Sequence, residues 1–452
     1  MSALAIYAKE RGFGVTGSDT EETFVTDKTL QKAGISVLPF SPQNLKSRPE
    51  IVVVSAAYSK DNIEVREARR RHLEIKPYSE ALAMFANDLQ IIAVAGIHGK
   101  TTTTALLSFI LTKANLDPSF VIGSGEIPSL GATGHFGRGD YFVLEADEYR
   151  KSSEEMTSKF LDFSPKVEII TSIEMDHPDM FSTEEKVYDA FYKFACRVPR
   201  TGFIVLCVDY PKTRKIIHSL VDRNFETYGF NEKASWQIVD FLEIQDYSSF
   251  YILNCGNKIG PFKIKLPGKF NALNATAAII TALRLGIEEK LAKKYLFSFS
   301  GVKRRFEKIG QVDNITIIDD YAHHPRSVAM ALEAARARYP QAEIYCIFQA
   351  HTYSRTKELL NEFASSFRAA DHVIITEIYA SQRETKATIS GQDLASAIRK
   401  EQKSVKFIPD KNKIVQELVD NVTRPALIIT MGAGDIYKLG NLILERLQKD
   451  SK

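Results

Sequence analysis

In the run "IIAVAGIHGKTTTTALLSF", residues 91–109, an apolar β-branched stretch stops at Gly96, and Gly99, Lys100 and four threonines follow before a helical pattern. Backbone amides gathered by glycines at a helix N-terminus make an anion site. A lysine there reaches terminal phosphates, and the next hydroxyl can hold Mg2+. Gly96, Gly99, Lys100 and Thr101 fit those parts. The spacing is a shortened G-x-x-G-K-T, with Val94 where the longer phosphate loop has its first glycine. A plain strand-to-helix turn would need neither lysine nor hydroxyl at these offsets. The expected ligand is a nucleoside triphosphate.

Three further strand ends carry polar chemistry. After "YFVLEADEY" stand Glu145, Asp147 and Glu148, where a carboxylate can complete a magnesium shell with Thr101 and phosphate oxygens. The bland alternative is a solvated acidic rim. "VEIITSIEMDHPDMF" ends in Glu174, Asp176, His177 and Asp179; His177 reads equally as a ligand or as a loop residue before proline, since magnesium prefers oxygen. "ITIIDDYAHHPRS" puts Asp319, Asp320, Tyr321, His323 and His324 after a buried strand, and "CIFQAHTYSRTKE" does the same with His351 and Arg355. Such groups suit a small charged substrate, or they pair with one another. The doubled arginine in "GVKRRFE" is either surface charge or a guanidinium brought onto phosphate at a hinge.

The elements that must position these residues alternate. "SALAIYAKERG" reads as helix, "GVTGSD" as a strand ending at Asp19, "DKTLQKAGI" as helix, and "SVLPF" and "EIVVVSAAY" as strands, which indicates a parallel α/β sheet. A second unit from "NDLQIIAVAG" holds strands "YFVLEAD", "VEIITSI" and "FIVLCVD". A third, from "GVKRRFEKIG", holds "ITIIDD", "EIYCIF", "HVIITEI" and "ALIITMG", with helices "PRSVAMALEAARARY" and "RTKELLNEFASSFRAA". The chain has 452 residues, and about 150 residues per domain suggests about three domains. A net charge of +3 makes no electrostatic case for nucleic acid. No apolar run approaches the roughly 18 to 20 residues of a membrane span, and the N-terminus lacks a basic leader. Cys196, Cys207, Cys255 and Cys346 lie far apart and read as reduced thiols of a cytoplasmic protein.

The segments "AGIHGKTTTT", "EADE", "MDHPD", "PGKFNALNA", "GVKRRFE", "DDYAHHP" and "QAHTYSRT" follow one another as in the Mur ligase family, and the chain resembles that family from about residue 1 to 440. The resemblance implies three α/β domains: a Rossmann-like, UDP-sugar-binding residues 1–86, a central P-loop ATPase-type domain at 87–302, and a Rossmann-like, amino-acid-binding 303–452. It implies an ATP- and Mg2+-dependent ligase in peptidoglycan precursor synthesis, in the branch that joins L-alanine to the carboxylate of UDP-N-acetylmuramate through an acyl phosphate. Carried over residue by residue, Gly96, Ile97, His98, Gly99, Lys100, Thr101 and Thr102 hold the ATP phosphates. Thr101 and Glu145 bind one magnesium and His177 a second, while Asn271, Asn274, Arg305 and Asp320 meet the nucleotide. Ser18, Asp19 and Ser55 meet the uridine nucleotide, and Tyr321, His351 and Arg355 the amino acid. Lys100, Glu145, His177 and Arg305 form the expected catalytic set. The assembly is expected to be a monomer or homodimer.

Two departures stand out. Phe270 replaces the histidine before the first asparagine of the family's H-N-A-x-N. The family's first strand and G-x-G-G-x-G loop, which receives the diphosphate, would precede Met1, so the first domain reads as truncated, with a late-assigned start favoured over true loss. Rival readings are a recycling ligase that adds a murein peptide to UDP-N-acetylmuramate, and a non-catalytic nucleotide-binding remnant.

Overall fold

The computed structural model describes the chain apart from residues 23, 59, 153, 177–179, 221, 381–383, 385, 386, 451 and 452. His177 therefore lies outside the described residues. Two compact units emerge: residues 1–241, 250–264 and 272–302 form the first, and residues 242–249, 265–271 and 303–452 the second.

Among the described residues, the main sheet runs, edge to edge, Asn257–Ile264, Ser248–Asn254, Trp236–Glu243, Phe225–Gly229, Phe203–Cys207, Val167–Ile170, Gln90–Ala95, Tyr141–Ala146, Ser119–Val121, Gly134–His135. Its middle is parallel, with Gln90–Ala95 between Tyr141–Ala146 and Val167–Ile170. The five residues Ile91–Ala95 are all buried, which is why they read as an unbroken apolar run rather than an alternating one. Helix Lys100–Lys113 follows the central strand, whereas helix Glu184–Ala195 sends Phe191, Phe194 and Ala195 into the apolar cluster that holds Ala93, Ala95 and Ile170. Adjacent strands thus feed different helices, and the carboxyl ends at such a switch point are where sheets of this kind place ligands.

Residues 1–86 do not form the single parallel sheet expected from the sequence. Gly17–Asp19 pairs with Val37–Pro39, and Ile51–Val54 pairs separately with Glu74–Pro77, both in parallel. None of these strands is buried along its length, so apolar burial does not weld the two pairs together. What anchors this segment is helix Ser2–Glu10. Its Tyr7 is fully buried, stacked on Phe142 at 5.0 Å and edge-on to Phe136 and Phe85.

The second unit is built on a six-stranded sheet ordered Glu307–Val312, Ile315–Asp320, Ala426–Met431, Glu343–Phe348, His372–Ile375, Val405–Phe407. The first pairing is antiparallel and bulged at Lys308/Gly310; the others are parallel. Helix Pro325–Arg338 covers one face with Val328, Leu332 and Ala335, while helix Lys438–Asp450 covers the other with Leu439, Ile443 and Leu447. These helices follow neighbouring strands, so the ends at Asp320 and Met431 flank a second switch point. The helical stretch read as "RTKELLNEFASSFRAA" is two short helices, Tyr353–Glu358 and Leu360–Ser365, broken at Leu359.

Candidate functional site

The phosphate loop is held open by two positions where only glycine fits. Gly96 has φ +133°, and a Cβ there would stand 2.1 Å from Thr171 Oγ1 and 2.8 Å from the Ser172 amide. Gly99, the N-cap of helix Lys100–Lys113, has φ +83°, and a Cβ would meet Asn274 Oδ1 at 2.2 Å. The loop is sutured to the end of the neighbouring strand. Ile97 N donates to Ser172 O at 3.2 Å, His98 N donates to Ser172 Oγ at 2.9 Å, and Thr171 Oγ1 donates to the carbonyls of Ala95 and His98. His98 Nε2 also lies 3.0 Å from Glu174 Oε2.

Lys100 donates to Glu148 Oε2 at 2.9 Å and to the Gly96 carbonyl, with Asp147 at 4.0 Å. Burial opposes its charge, but Glu148 and Asp147 outweigh it and hold the ammonium up at about 12. Thr101 Oγ1 donates to Glu145 Oε2 at 2.9 Å, and Gly123 N donates to Glu145 Oε1 at 2.7 Å. Burial and the Asp147 charge hold the Glu145 carboxyl above its ordinary range, against Gly123, Lys100 and Thr101. A half-buried carboxylate and a hydroxyl at this spacing are hard oxygen donors suited to Mg2+, which would draw its other ligands from water and phosphate. Among the described residues, no three His, Cys, Asp or Glu side chains form a ready-made metal cluster. Asn271 and Asn274 are both buried at the start of helix Lys269–Arg284.

At the N-terminal strand ends, Ser18 Oγ donates to Glu64, and the Tyr58 hydroxyl donates to Asp19. Glu64 Oε1 also accepts from Ser41 N at 2.9 Å and Asn44 Nδ2 at 2.7 Å. Ser55 Oγ accepts from Ala57 N at 3.3 Å. Glu64 and Tyr58 carried no motif in the sequence: Glu64 stands in the first turn of helix Ile63–Arg70, and Tyr58 four residues beyond strand Ile51–Val54.

In the second unit, Arg304 and Asp319 are as central as the expected Arg305 and Asp320. Arg304 Nε lies 3.2 Å from Asp319 Oδ2, its Nη2 donates to Gly432 O at 2.6 Å, and its guanidinium lies over Tyr321 and Tyr437. Burial pushes the Asp319 carboxyl up to about 6 despite that guanidinium. Thr430 Oγ1 donates to Asp319 Oδ1 at 2.7 Å. Asp320 accepts from Phe306 N at 2.8 Å and Ala322 N at 2.7 Å, while the Arg305 guanidinium lies 4.9 Å from the Tyr321 ring centre. Arg304 and Phe306, on either side of Arg305, have φ +63° and +52°. Tyr321, His351 and Arg355 do converge. His323 bridges the Tyr321 and His351 rings at 5.2 and 6.1 Å, and Arg355 Nη1 lies 3.4 Å from His351 Nδ1. Tyr379, which no motif flagged, stacks on His351 at 5.9 Å.

A parallel sheet whose central strand launches a glycine-lysine-threonine loop, together with a doubly wound unit bearing its own arginine-carboxylate cluster, defines a phosphate-loop α/β protein with an appended Rossmann-like unit. Family models match along the chain: "Mur ligase family, catalytic domain" over residues 1–90, "Mur ligase middle domain" over 94–282, and "Mur ligase, glutamate ligase domain" over 304–434. The UDP-N-acetylmuramate–L-alanine ligase of Caldanaerobacter subterraneus subsp. tengcongensis is 40% identical over 452 residues, covering 99% of this chain and 96% of that one. That of Desulfitobacterium hafniense is 40% identical over 446 residues, covering 98% and 97%. The crystal structure of UDP-N-acetylmuramate–alanine ligase from Thermotoga maritima aligns with a TM-score of 0.83 at 27% identity, over 100% of this chain and 97% of that one. The chain belongs to the Mur ligase family.

Proposed function

We propose that this protein joins L-alanine to the carboxylate of UDP-N-acetylmuramate at the expense of ATP, in peptidoglycan precursor synthesis in the cytoplasm. The single observation that carries the reading is the part-buried Lys100–Glu148 and Thr101–Glu145 pairing around the phosphate loop in a chain of this family. An oxygen of the sugar carboxylate attacks the γ-phosphorus, the bond to the β-phosphate oxygen breaks, and ADP leaves. The amine of alanine then adds to the acyl carbon, inorganic phosphate departs, and the amine gives up a proton. Both steps gather anions, so catalysis is chiefly positioning and charge neutralisation.

The residues divide that task. Lys100 exchanges Glu148 for the terminal phosphates, and the amides from Ile97 to Thr102 cradle the rest. Asn271 and Asn274 contact the nucleotide, with Arg305 and Asp320. Ser18, Asp19 and Ser55 face the uridine nucleotide. Tyr321, His351 and Arg355 receive the amino acid, with Arg355 supplying a fork for its carboxylate. Thr101 and Glu145 hold Mg2+, which when bound offsets phosphate charge; His177 serves a second ion. On this reading the working segments are 1–86 for the sugar nucleotide, 87–302 for ATP and 303–452 for the amino acid.

The test is ADP release with UDP-N-acetylmuramate and ATP, comparing L-alanine with other amino acids and with the murein tripeptide. Release driven by L-alanine, with amide formed in equal amount, is expected. Release with tripeptide alone would move the protein to peptide recycling, and release indifferent to any amine would leave a nucleotide hydrolase.

A further inference from the structure

Away from the motifs, one buried ion pair joins three segments of the second unit. Arg338, at the end of helix Pro325–Arg338, donates from Nε to Glu243 Oε1 at 2.8 Å, and its Nη2 lies 2.5 Å from the same oxygen. Its Nη1 donates to Lys265 O at 2.6 Å. Both side chains are almost wholly buried, at 6% and 7% exposed. The other carboxylate oxygen, Glu243 Oε2, accepts from Ser248 Oγ at 2.9 Å and from the Gly268 amide at 2.8 Å. Gly268 belongs to the turn that launches helix Lys269–Arg284, and Asn271 in that helix donates from Nδ2 to Pro267 O at 2.8 Å.

Taking two charges out of water is costly, and two apolar side chains would staple the same segments more cheaply. An apolar staple could not accept the Gly268 N–H. The carboxylate therefore fixes the Pro267–Gly268 turn, and that turn fixes the Asn271 amide. Helix Pro325–Arg338 begins five residues after Asp320, so Arg338 ties the turn to the element that follows the Asp320 strand end.

We propose that Glu243, anchored by Arg338 and Ser248, is a positioning residue for nucleotide binding, setting the place of Asn271 through the Gly268 amide. This rests on the proposed role of Asn271 as a nucleotide contact. Glu243 itself touches no substrate.

The test pairs affinity with stability in the full chain. Glu243→Ala alone strands a buried guanidinium, so the decisive protein is the double variant Glu243→Ala/Arg338→Met, which removes both charges and still deprives Gly268 of its acceptor. ADP affinity by calorimetry and the KM for ATP are expected to weaken about tenfold, the loss of one well-made hydrogen bond to a charged acceptor. The KM values for UDP-N-acetylmuramate and L-alanine should stay near wild type. Ser248→Ala, which removes one donor and keeps both charges, should weaken ADP binding in the same direction by a smaller factor. An unchanged ADP affinity in the folded double variant overturns the proposal, as does an equal rise in all three KM values. If the double variant does not fold, an unchanged affinity in Ser248→Ala overturns it. Wild-type protein that binds ADP but forms no amide would instead count against the proposed reaction, because calorimetry reads positioning without turnover.

Discussion

On the proposed reading, the phosphate loop and the Arg304–Phe306 turn solve the same problem, presenting a cation to an anion, by opposite means. In the loop, the awkward backbone falls to Gly96 and Gly99, where a left-handed φ costs little, and the partners lie on neighbouring strand ends. In the turn, Arg304 and Phe306 take positive φ although neither is glycine, at a cost of order 1–3 kcal/mol per residue. Tertiary contacts hold them there: the remote Gly432 on Arg304, and Asp320, at the end of strand Ile315–Asp320, on the Phe306 amide. One cradle is specified by what fits; the other is imposed by what grips it.

The loop side of that contrast carries the largest expected effects. Lys100→Ala removes the only cation placed inside the cradle among its described residues, and turnover should fall by about a thousandfold or more, measured as ADP release. Activity within tenfold of wild type would mean that the amides alone carry the phosphates. Gly96→Ala comes next. Its Cβ would overlap Thr171 Oγ1 and the Ser172 amide, so ATP affinity should drop together with thermal stability. Trimming the side chain through Thr171→Ala should not rescue it, because the Ser172 backbone remains in the way. Full rescue would show that the fit is a side-chain matter and would weaken the contrast.

This difference also decides what could be read from the chain. Gly96, Gly99, Lys100 and Thr101 are legible because their types and offsets form a pattern within six residues, although the atoms that forbid a Cβ at the glycines belong to Thr171, Ser172 and Asn274. The carboxylates at the ends of Tyr141–Ala146 and Ile315–Asp320 are legible because a buried strand stops there. Arg304 reads only as half of a doubled arginine, since no local pattern marks its pairing with Asp319 and its carbonyl partners Gly432 and Gly434 lie 128 and 130 residues away. Tyr379 and Glu64 are silent because their partners sit on other elements and no sequence pattern links them. The two separate strand pairs in residues 1–86 escaped too: apolar runs announce strands, but ladders depend on neighbours.

Arg304→Met tests the other side, with a middling effect. Losing the fork to Asp319 and Gly432 should lower kcat by about tenfold to a hundredfold through Arg305, with Arg304→Lys recovering only part, because a lysine cannot make both contacts. Asp319 gives the same turn a pH signature. Its carboxyl titrates near 3.8 when unfolded and near 6 when folded. Between those values the folded chain holds a proton that the unfolded chain has lost. Stability contributed by this group is therefore complete below about pH 4 and declines as pH rises to about 6, then levels. Asp319→Asn should remove that portion of the slope in urea melts taken from pH 4 to 7. An unaltered slope would mean that Arg304 keeps the carboxylate ionised throughout, and the turn would then be gripped by a full ion pair.

The smallest effect on activity, none, is expected at Glu168, a carboxyl that neither mode of support reaches. It lies in strand Val167–Ile170, fully buried, between Ala93 and Ile204 on the adjoining strands. Neither of its oxygens has a hydrogen-bond partner among the described residues, and burial alone raises its titration well above the ordinary range. The sign follows as for Asp319. The unfolded chain ionises this group near its usual value while the folded chain keeps it protonated, so rising pH favours unfolding until the folded group also ionises. Glu168→Leu should then be no less active and more stable than wild type by about 1–3 kcal/mol, with the gain larger at pH 8 than at pH 5. A variant less stable at pH 8 would mean that the carboxylate is served by a partner after all, and Glu168 would join the gripped residues rather than stand outside both groups.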